Sequence, residues 1–162
     1  MPKIPLKYIP KKLSKKDKKK QKKQIMKSRS LYKKGIYQTR KKVSSFKSKK
    51  SSHLVRASKI YNIDKVVVND TLARKTGCSK NALNKIVKKG QGAYFSSGSR
   101  PNQTAHSWGI ARLASSITGQ KAAAVDYNIL EKGCSKTSKA FKLAKKARKN
   151  FGYGTRKVPK FK

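Results

Sequence analysis

The sequence predicts a mainly α fold: a small helical domain with a helix-turn-helix-like hairpin and long extended basic N- and C-terminal arms. Three observations support this prediction. Apolar residues recur at helical spacing in the middle of the chain, turn-forming Gly and Ser residues separate these stretches, and Lys and Arg crowd both ends. We place the Lys-rich N-terminal arm at residues 1–53, the helical domain at 54–150 and the basic tail at 151–162.

The N-terminal arm holds half of the charge of the chain. Net charge is +40 over 162 residues, and the first fifty residues contain 21 Lys and Arg against one acid, Asp17. Like charges one helical turn apart oppose a helix, so residues 13–34 are expected to be helical only where a partner neutralises them. The partner with the densest fixed negative charge is a nucleic-acid backbone.

The start of the arm contains three prolines in ten residues, which favour an extended strap able to dock Ile4, Leu6, Tyr8 and Ile9. It lacks the apolar stretch of a secretory signal, and no apolar run approaches the roughly 20 residues that cross a bilayer. The composition of residues 35–53 predicts an exposed linker that carries four apolar or aromatic residues, Ile36, Tyr37, Val43 and Phe46.

The helical domain begins at Leu54 with a short helix to about residue 61, followed by a short strand or buried segment at 66–68. Asp70 is a plausible N-cap of the next helix, which Gly77 ends. Ser79 then caps a helix over residues 80–89, and residues 91–103 are expected to be loop, with at most a short strand at 93–96.

Three further helices complete the predicted domain. Thr104 caps a helix through Ile117 with Trp108 as its core anchor, residues 122–131 form the next helix, and Ser135 or Thr137 opens a final basic helix to about Asn150.

The segment from Leu72 to Ile86 has the residue spacing of a helix-turn-helix. Ala73 is small where two helices cross, Gly77 suits a turn with positive φ, and Leu83 and Ile86 bind the second helix back. Residues 79–89 would then be a recognition helix in a DNA groove. An ordinary helical hairpin requires the same residues, so both interpretations remain open.

The cysteines and other chemical groups indicate a noncatalytic protein without cofactor or metal. Cys78 and Cys134 have no metal-ligand spacing, and we expect free thiols in a reducing compartment. The motif Gly-Cys-Ser-Lys at 77–80 recurs at 133–136, which helix capping alone explains. The carboxylates show no paired spacing, the Gly-rich loop before Arg100 lacks a P-loop ending, and Tyr94 and Ser96 only loosely resemble an ADP-ribosyltransferase strand.

Several longer motifs resemble a family of small, highly basic proteins of large double-stranded DNA viruses, especially those of algae. They are Pro10-Lys11-Lys12-Leu13-Ser14, Ser45-Phe46-Lys47-Ser48-Lys49-Lys50-Ser51, the loop from Gly92-Ala93-Tyr94-Phe95 to Pro101-Asn102-Gln103-Thr104, and Ser107-Trp108-Gly109. The resemblance implies a virion component, a minor capsid or internal protein at the inner capsid face or core, made in the host cytoplasm or nucleus. It implies no catalytic residues.

The expected partners are capsid proteins of the same virion and double-stranded DNA or another polyanion, with contact to a membrane surface also possible. A nucleoid-type or regulatory DNA-binding protein is the alternative. The residues expected to bind nucleic acid are Lys18, Lys19, Lys20, Lys22, Lys23, Arg40, Lys41, Lys42, Lys80, Asn84, Lys85, Lys88 and Arg100.

Overall fold

A computed structural model describes residues 3–154 and 161, and this part of the chain is mainly α-helical, as the sequence predicts, without a β-strand. A short 3-10 helix, Leu6–Tyr8, precedes eight α-helices in the described residues. They are α1 Lys15–Lys33, α2 Ser52–Tyr61, α3 Asp70–Thr76, α4 Lys80–Ser96, α5 Ala105–Ile117, α6 Lys121–Val125, α7 Tyr127–Gly133 and α8 Lys139–Phe151. Most of the predicted C-terminal tail, residues 155–160 and 162, lies outside the described residues.

The chain divides into two compact units. Unit 1 comprises Met1–Lys49, Gln91–Trp108 and Lys157–Lys162, and unit 2 comprises Lys50–Gly90 and Gly109–Arg156. Unit 2 begins close to the predicted start of the helical domain. Residues 91–108, which we had expected to belong to that domain, instead group with the N-terminal residues.

The N-terminal segment is not an extended arm, because 19 of its residues form helix α1. Ser14 caps this helix by accepting a hydrogen bond from the Asp17 backbone N–H at 3.1 Å. One stripe of α1 is buried and consists of Asp17, Gln21, Ile25 and Ser28. Three of these four residues are polar, so a search for apolar periodicity does not detect the stripe. No lysine of α1 belongs to it.

The core of unit 1 is small and is built mainly from the first 43 residues. Its buried apolar side chains are Ile4, Tyr8, Ile9, Leu13, Ile25 and Val43. The predicted strap therefore docks within its own unit. Trp108 packs against this core, with its ring 5.8 Å from that of Tyr8 in an edge-to-face arrangement, and is partly buried.

Hydrogen bonds hold residues 40–46 in unit 1 without a β-ladder. The Asn102 side chain accepts from the Val43 N–H at 2.7 Å and donates to the carbonyl oxygens of Val43 and Phe46. The Asp17 carboxylate accepts from the Ser45 N–H at 2.8 Å and from the Ser45 hydroxyl. Side-chain amides and carboxylates thus satisfy backbone groups that a neighbouring strand would otherwise satisfy.

These contacts make the stability of unit 1 depend on pH in the acidic range. The hydrogen bonds from Ser45 hold the pKa of Asp17 below its ordinary value of 3.8. Because the pKa of Asp17 is depressed in the folded state, the stabilisation is complete above the pKa of the unfolded state and is lost as the pH falls through the pKa of the folded state.

We expect Asp17→Asn to lower the thermal midpoint at pH 7, and the difference in midpoint from wild type to disappear below about pH 4. Melting curves from pH 7 to 2 measure this, and a gap that stays constant to pH 2 would contradict it.

Helix α4 is longer than the sequence predicts, because it continues through Gly90 and Gly92 to Ser96. The expected loop at 91–96 and the short strand at 93–96 are therefore wrong. Gly90 is needed where α4 approaches α5, since a Cβ on Gly90 would lie 2.6 Å from the Gly109 Cα. Tyr94 on the next turn is fully buried, and its hydroxyl accepts from the Arg40 N–H at 2.9 Å.

The core of unit 2 is larger than that of unit 1. All the helices from α2 to α8 contribute to it, through residues such as Leu72, Leu83, Ile86, Leu113 and Phe141. Several predicted boundaries shift by a few residues. Asn69, not Asp70, caps α3, and Ser138, not Ser135 or Thr137, caps α8. The helix expected at 122–131 is split into α6 and α7, because buried Asp126 lies between them and binds Arg112.

The cysteines form a disulfide, Cys78–Cys134, so the expectation of free thiols is wrong. The two Gly-Cys-Ser-Lys motifs lie against each other: the Ser79 N–H donates to the Gly133 carbonyl oxygen and the Ser135 N–H to that of Gly77, both at 2.8 Å. Capping alone does not account for this pairing. We call these four bonded residues and the two cysteines the cysteine clasp.

Both glycines of the clasp are required by close approach. A Cβ on Gly77 would lie 2.5 Å from the Ser138 Cβ, and one on Gly133 would lie 2.2 Å from the Ala82 Cβ. Gly77 also has φ +75, which ends α3 in the left-handed region. Each glycine therefore makes room for the helix that follows the other cysteine.

Candidate polyanion-binding surface

The exposed side of α1 is a dense cationic surface. This 19-residue helix is about 28 Å long and carries nine Lys and Arg29, roughly one positive charge per 3 Å. Of the predicted binding residues on it, Lys19, Lys20, Lys22 and Lys23 are exposed and Lys18 is half-buried. The one carboxylate of α1, Asp17, is turned inward to Ser45. Within the described residues no lysine of α1 forms an ion pair within 4 Å.

Residues 40–43 lie along α1 and add charge to this surface. The Lys20 ammonium donates to the Lys42 carbonyl oxygen at 3.0 Å, and the Gln24 side chain bonds both the N–H and the carbonyl of Lys41. These contacts use the backbone of residues 41 and 42 and leave both of their side chains exposed. The structure therefore brings together Lys41 and Lys42 with the α1 lysines, which the sequence places some twenty residues apart.

Arg40 does not belong to this surface, in contrast to the sequence prediction. Its side chain is buried, with 8% of the residue exposed, and its guanidinium lies 3.8 Å from the centre of the Tyr94 ring. It donates to the Ser28 hydroxyl, the Tyr94 carbonyl oxygen and the Ser99 hydroxyl at 2.7–3.0 Å. Burial lowers the pKa of Arg40 from its ordinary value. This arginine holds α1, α4 and the following loop together within unit 1.

The predicted residues of the hairpin lie in unit 2. Asn84, Lys85 and Lys88 are exposed on α4, at positions that share one side of the helix. Lys80 is also exposed, but it forms an ion pair with Asp70 at 2.8 Å, and this pair lowers the pKa of Asp70. A shallow groove between α4 and α7 is lined by Asn81, Lys85, Asn128 and Lys132. Helix α7 thus flanks the first turns of α4.

The remaining predicted residue, Arg100, is exposed in unit 1, in the loop between α4 and α5. Sequence reasoning did not select a further basic helix as a binding element: α8 exposes Lys142, Lys145, Lys146 and Lys149 and buries Ala140, Phe141, Ala144 and Ala147. The signal was available, since its basic and apolar residues separate cleanly at helical spacing.

The described residues offer no group of three or more His, Cys, Asp or Glu side chains placed to hold a metal ion. In the same part of the chain, no helix combines the length and the apolar character that a membrane span requires. Tyr94 and Ser96 lie on a helix, so the strand that an ADP-ribosyltransferase-like site requires is not formed there.

Helical fold and cationic surface together define a small, basic, mainly α protein. A family model matches residues 5–132, and the chain belongs to this family, which is described as a family of unknown function, DUF5824. The match covers α1, residues 40–43 and the first half of the cysteine clasp, Gly77 to Ser79, and it ends just before Gly133, where the second half of the clasp begins. No curated protein and no solved structure matches the chain.

Proposed function

We propose that this chain is a noncatalytic virion structural protein, a minor capsid or internal protein, whose cationic α1 surface binds genome DNA. The α1 surface is defined as the exposed lysines of α1 together with Lys41 and Lys42. Acidic capsid surfaces are the second class of partner that its charge suits. The virion assignment rests on the sequence resemblance, and the DNA assignment rests on the charge of this surface.

The observation that supports DNA as the partner is charge density on a folded support. Duplex DNA carries about one negative charge per 1.7 Å, and the eight exposed lysines of α1 present about one positive charge per 3.5 Å along its length. Phosphates neutralised by lysine release condensed counterions, which drives binding without base contacts. Because the buried stripe of α1 holds the helix in unit 1, these lysines are arranged before any partner arrives.

Two basic helices that each expose at least four lysines provide a matched test, because the same number of charges can be removed from each. One variant replaces Lys16, Lys19, Lys23 and Lys27 with Gln on the solvent side of α1, and its control replaces Lys142, Lys145, Lys146 and Lys149 on α8. We expect the α1 variant to weaken duplex DNA binding and to reduce the steepness of log K against log salt by about 2–4, whereas the α8 control changes it by less than about 1. Fluorescence anisotropy with a 20-base-pair duplex between 50 and 300 mM salt, roughly the range where counterion release is measurable, gives both slopes.

Equal losses in the two variants would mean that total charge, and not the α1 surface, determines binding. That result would contradict the proposed site. Circular dichroism of each variant shows whether the helix content is retained, so that a loss of binding is assigned to charge alone.

The virion assignment is tested by the location of the chain in purified particles. After gentle disruption, we expect the chain in the nucleoprotein core and expect salt to release it. Recovery with the capsid shell would assign the surface to acidic capsid protein, and absence from particles would contradict a structural role in the virion.

The alternative proposal is a nucleoid-type or regulatory DNA-binding protein that uses the first turns of α4. The exposure of Asn84, Lys85 and Lys88 on one face favours it. The groove that α4 shares with α7 argues against it, because a helix that enters the major groove must protrude from its neighbours. If replacing Lys80, Asn84 and Lys85 abolished DNA binding while the α1 variant retained it, the alternative would replace the main proposal.

A further inference from the structure

The segment directly after α1 exposes two apolar side chains within the most basic part of the chain. Ile36 is 50% exposed and Tyr37 is 68% exposed. The other two apolar residues predicted for this segment are less exposed, since Val43 is buried and Phe46 is half-buried beneath the Lys12 ammonium. Ile36 and Tyr37 therefore remain available to a partner.

The Tyr37 ring is supported by other aromatic rings of unit 1. Its centre lies 5.2 Å from that of Phe95 and 5.8 Å from that of Tyr32, with interplanar angles near 50°. Phe95 in turn packs edge to face on buried Tyr94 at 5.0 Å. A series of rings thus runs from buried Tyr94 to the surface, and it orients Tyr37 while 68% of that residue stays exposed.

The sequence on both sides of Tyr37 is cationic. Lys33 and Lys34 are exposed at the end of α1, and Lys41 is exposed on the segment that follows. The sequence contains no acid between Asp17 and Asp64. Exposed aromatic rings beside lysines are the combination that binds single-stranded nucleic acid, because the lysines attract the phosphates and the ring stacks on a base.

We propose that Tyr37, braced by Phe95 and Tyr32 and close in sequence to the exposed Lys33 and Lys34, is a stacking site for an unpaired base of single-stranded nucleic acid. This inference rests on the proposed nucleic-acid-binding function and adds a preference to it. In a duplex each base is already stacked on both faces, so Tyr37 contributes there only at an end or an opened pair. The α1 surface supplies affinity for any strand, and Tyr37 adds affinity for unpaired bases.

The test compares a 15-nucleotide oligo(dT) with a duplex of matched phosphate number, using the full chain at a fixed salt concentration. We expect Tyr37→Leu to weaken oligo(dT) binding by about 5- to 150-fold, the range that one stacked base contributes, and to leave duplex binding within about twofold. Tyr37→Trp restores oligo(dT) binding, because a larger ring stacks at least as well. An unstructured poly-glutamate of equal charge serves as a control that has no bases.

A second measurement does not depend on a variant. In wild-type protein, an oligo(dT) that carries 5-iodouracil is expected to crosslink at Tyr37 on irradiation, and mass spectrometry locates the crosslinked peptide. Unchanged oligo(dT) affinity in Tyr37→Leu, equal losses for oligo(dT) and duplex, or crosslinks confined to other residues would each overturn the inference.

The two proposals fail in distinguishable ways. If wild-type protein binds the duplex and oligo(dT) equally and Tyr37→Leu changes neither, the stacking site is wrong and the α1 surface stands. If wild-type protein binds neither the duplex nor oligo(dT) but does bind poly-glutamate, both proposals are wrong and acidic protein is the partner class.

Discussion

Replacing Cys78 and Cys134 together with serine is expected to lower the free energy of unfolding by about 2–5 kcal/mol. The disulfide closes a loop with a sequence separation of 56 residues, and constraint of a loop of that length in the unfolded chain accounts for about 4 kcal/mol in the chain-entropy model. The cysteine clasp adds two backbone hydrogen bonds between the same segments. Urea unfolding of wild type and the double variant, followed by circular dichroism, measures the difference.

A reducing agent supplies the control for this prediction. It is expected to lower the unfolding midpoint of the wild-type protein toward that of the double variant, and to leave the double variant unchanged. A wild-type midpoint that is the same with and without reductant would contradict a stabilising role for the clasp.

The second large effect is expected from Asp126→Asn. The Asp126 carboxylate is fully buried, is bound by both Nε and Nη2 of Arg112, and accepts from the Ser116 hydroxyl at 2.9 Å, while the Lys89 ammonium lies 3.1 Å away. It therefore ties the connection between α6 and α7 to α4 and α5 within unit 2. Removal of one partner from a fully buried pair costs about 3–5 kcal/mol, because the other charge loses its compensation. Since the side chains of Arg112 and Lys89 are 22% and 48% exposed, we expect a loss at the lower end of that range.

Asp70→Asn is the matched control for Asp126→Asn. It removes the same charge from an ion pair of the same length, that of Asp70 with Lys80, but Asp70 is largely exposed. We expect the thermal midpoint of this control to be nearly unchanged, since exposed pairs contribute little. Similar shifts in the two variants would indicate a general effect of net charge and would contradict a specific role for the Asp126 cluster.

The mainly helical fold follows from the apolar spacing and the capping residues of the middle of the chain. Ser79 and Thr104 cap α4 and α5 as predicted, and Gly77 ends α3 with a positive φ. These signals are local: each depends on a few consecutive residues and on backbone geometry that the neighbouring sequence determines. They are readable without knowledge of the tertiary structure.

The order of the N-terminal segment was missed because its buried stripe is polar. Asp17, Gln21 and Ser28 are buried through hydrogen bonds to Ser45, to the backbone of Tyr8 and Ser99, and to Phe95 and Arg40. Partners this far along the chain cannot be inferred from local spacing. One signal was nevertheless present: in a helix with nine lysines among 19 residues, the buried stripe contains none.

The disulfide and the extension of α4 depend on distant contacts in the same way. Two cysteines separated by 56 residues carry no spacing rule, and their shared Gly-Cys-Ser context is equally compatible with helix capping. The glycines near residue 91 are typical of a loop, and only the proximity of Gly109 to Gly90 explains why a helix needs them. The Arg40 prediction failed for the same reason, since its acceptors lie on three separate segments.

The structure changes the expected mode of binding. An extended lysine arm orders only on its partner and loses conformational entropy when it does so. Helix α1 is already supported by its buried stripe, so its lysines are fixed in one arrangement and less entropy is lost on binding. The α1 surface is therefore expected to bind as a rigid surface.

Hydrogen exchange of the free chain and of its complex with a 20-base-pair duplex tests this account most directly. We expect the backbone amides on the buried stripe of α1, at Gln21, Ile25 and Ser28, to be protected before DNA is added. The duplex then slows exchange further in α1 and in residues 40–43, and leaves α8 unchanged. Exchange of α1 at the rate of an unfolded chain in the free protein, or protection by DNA that appears in α8 or the first turns of α4 and not in α1, would contradict it.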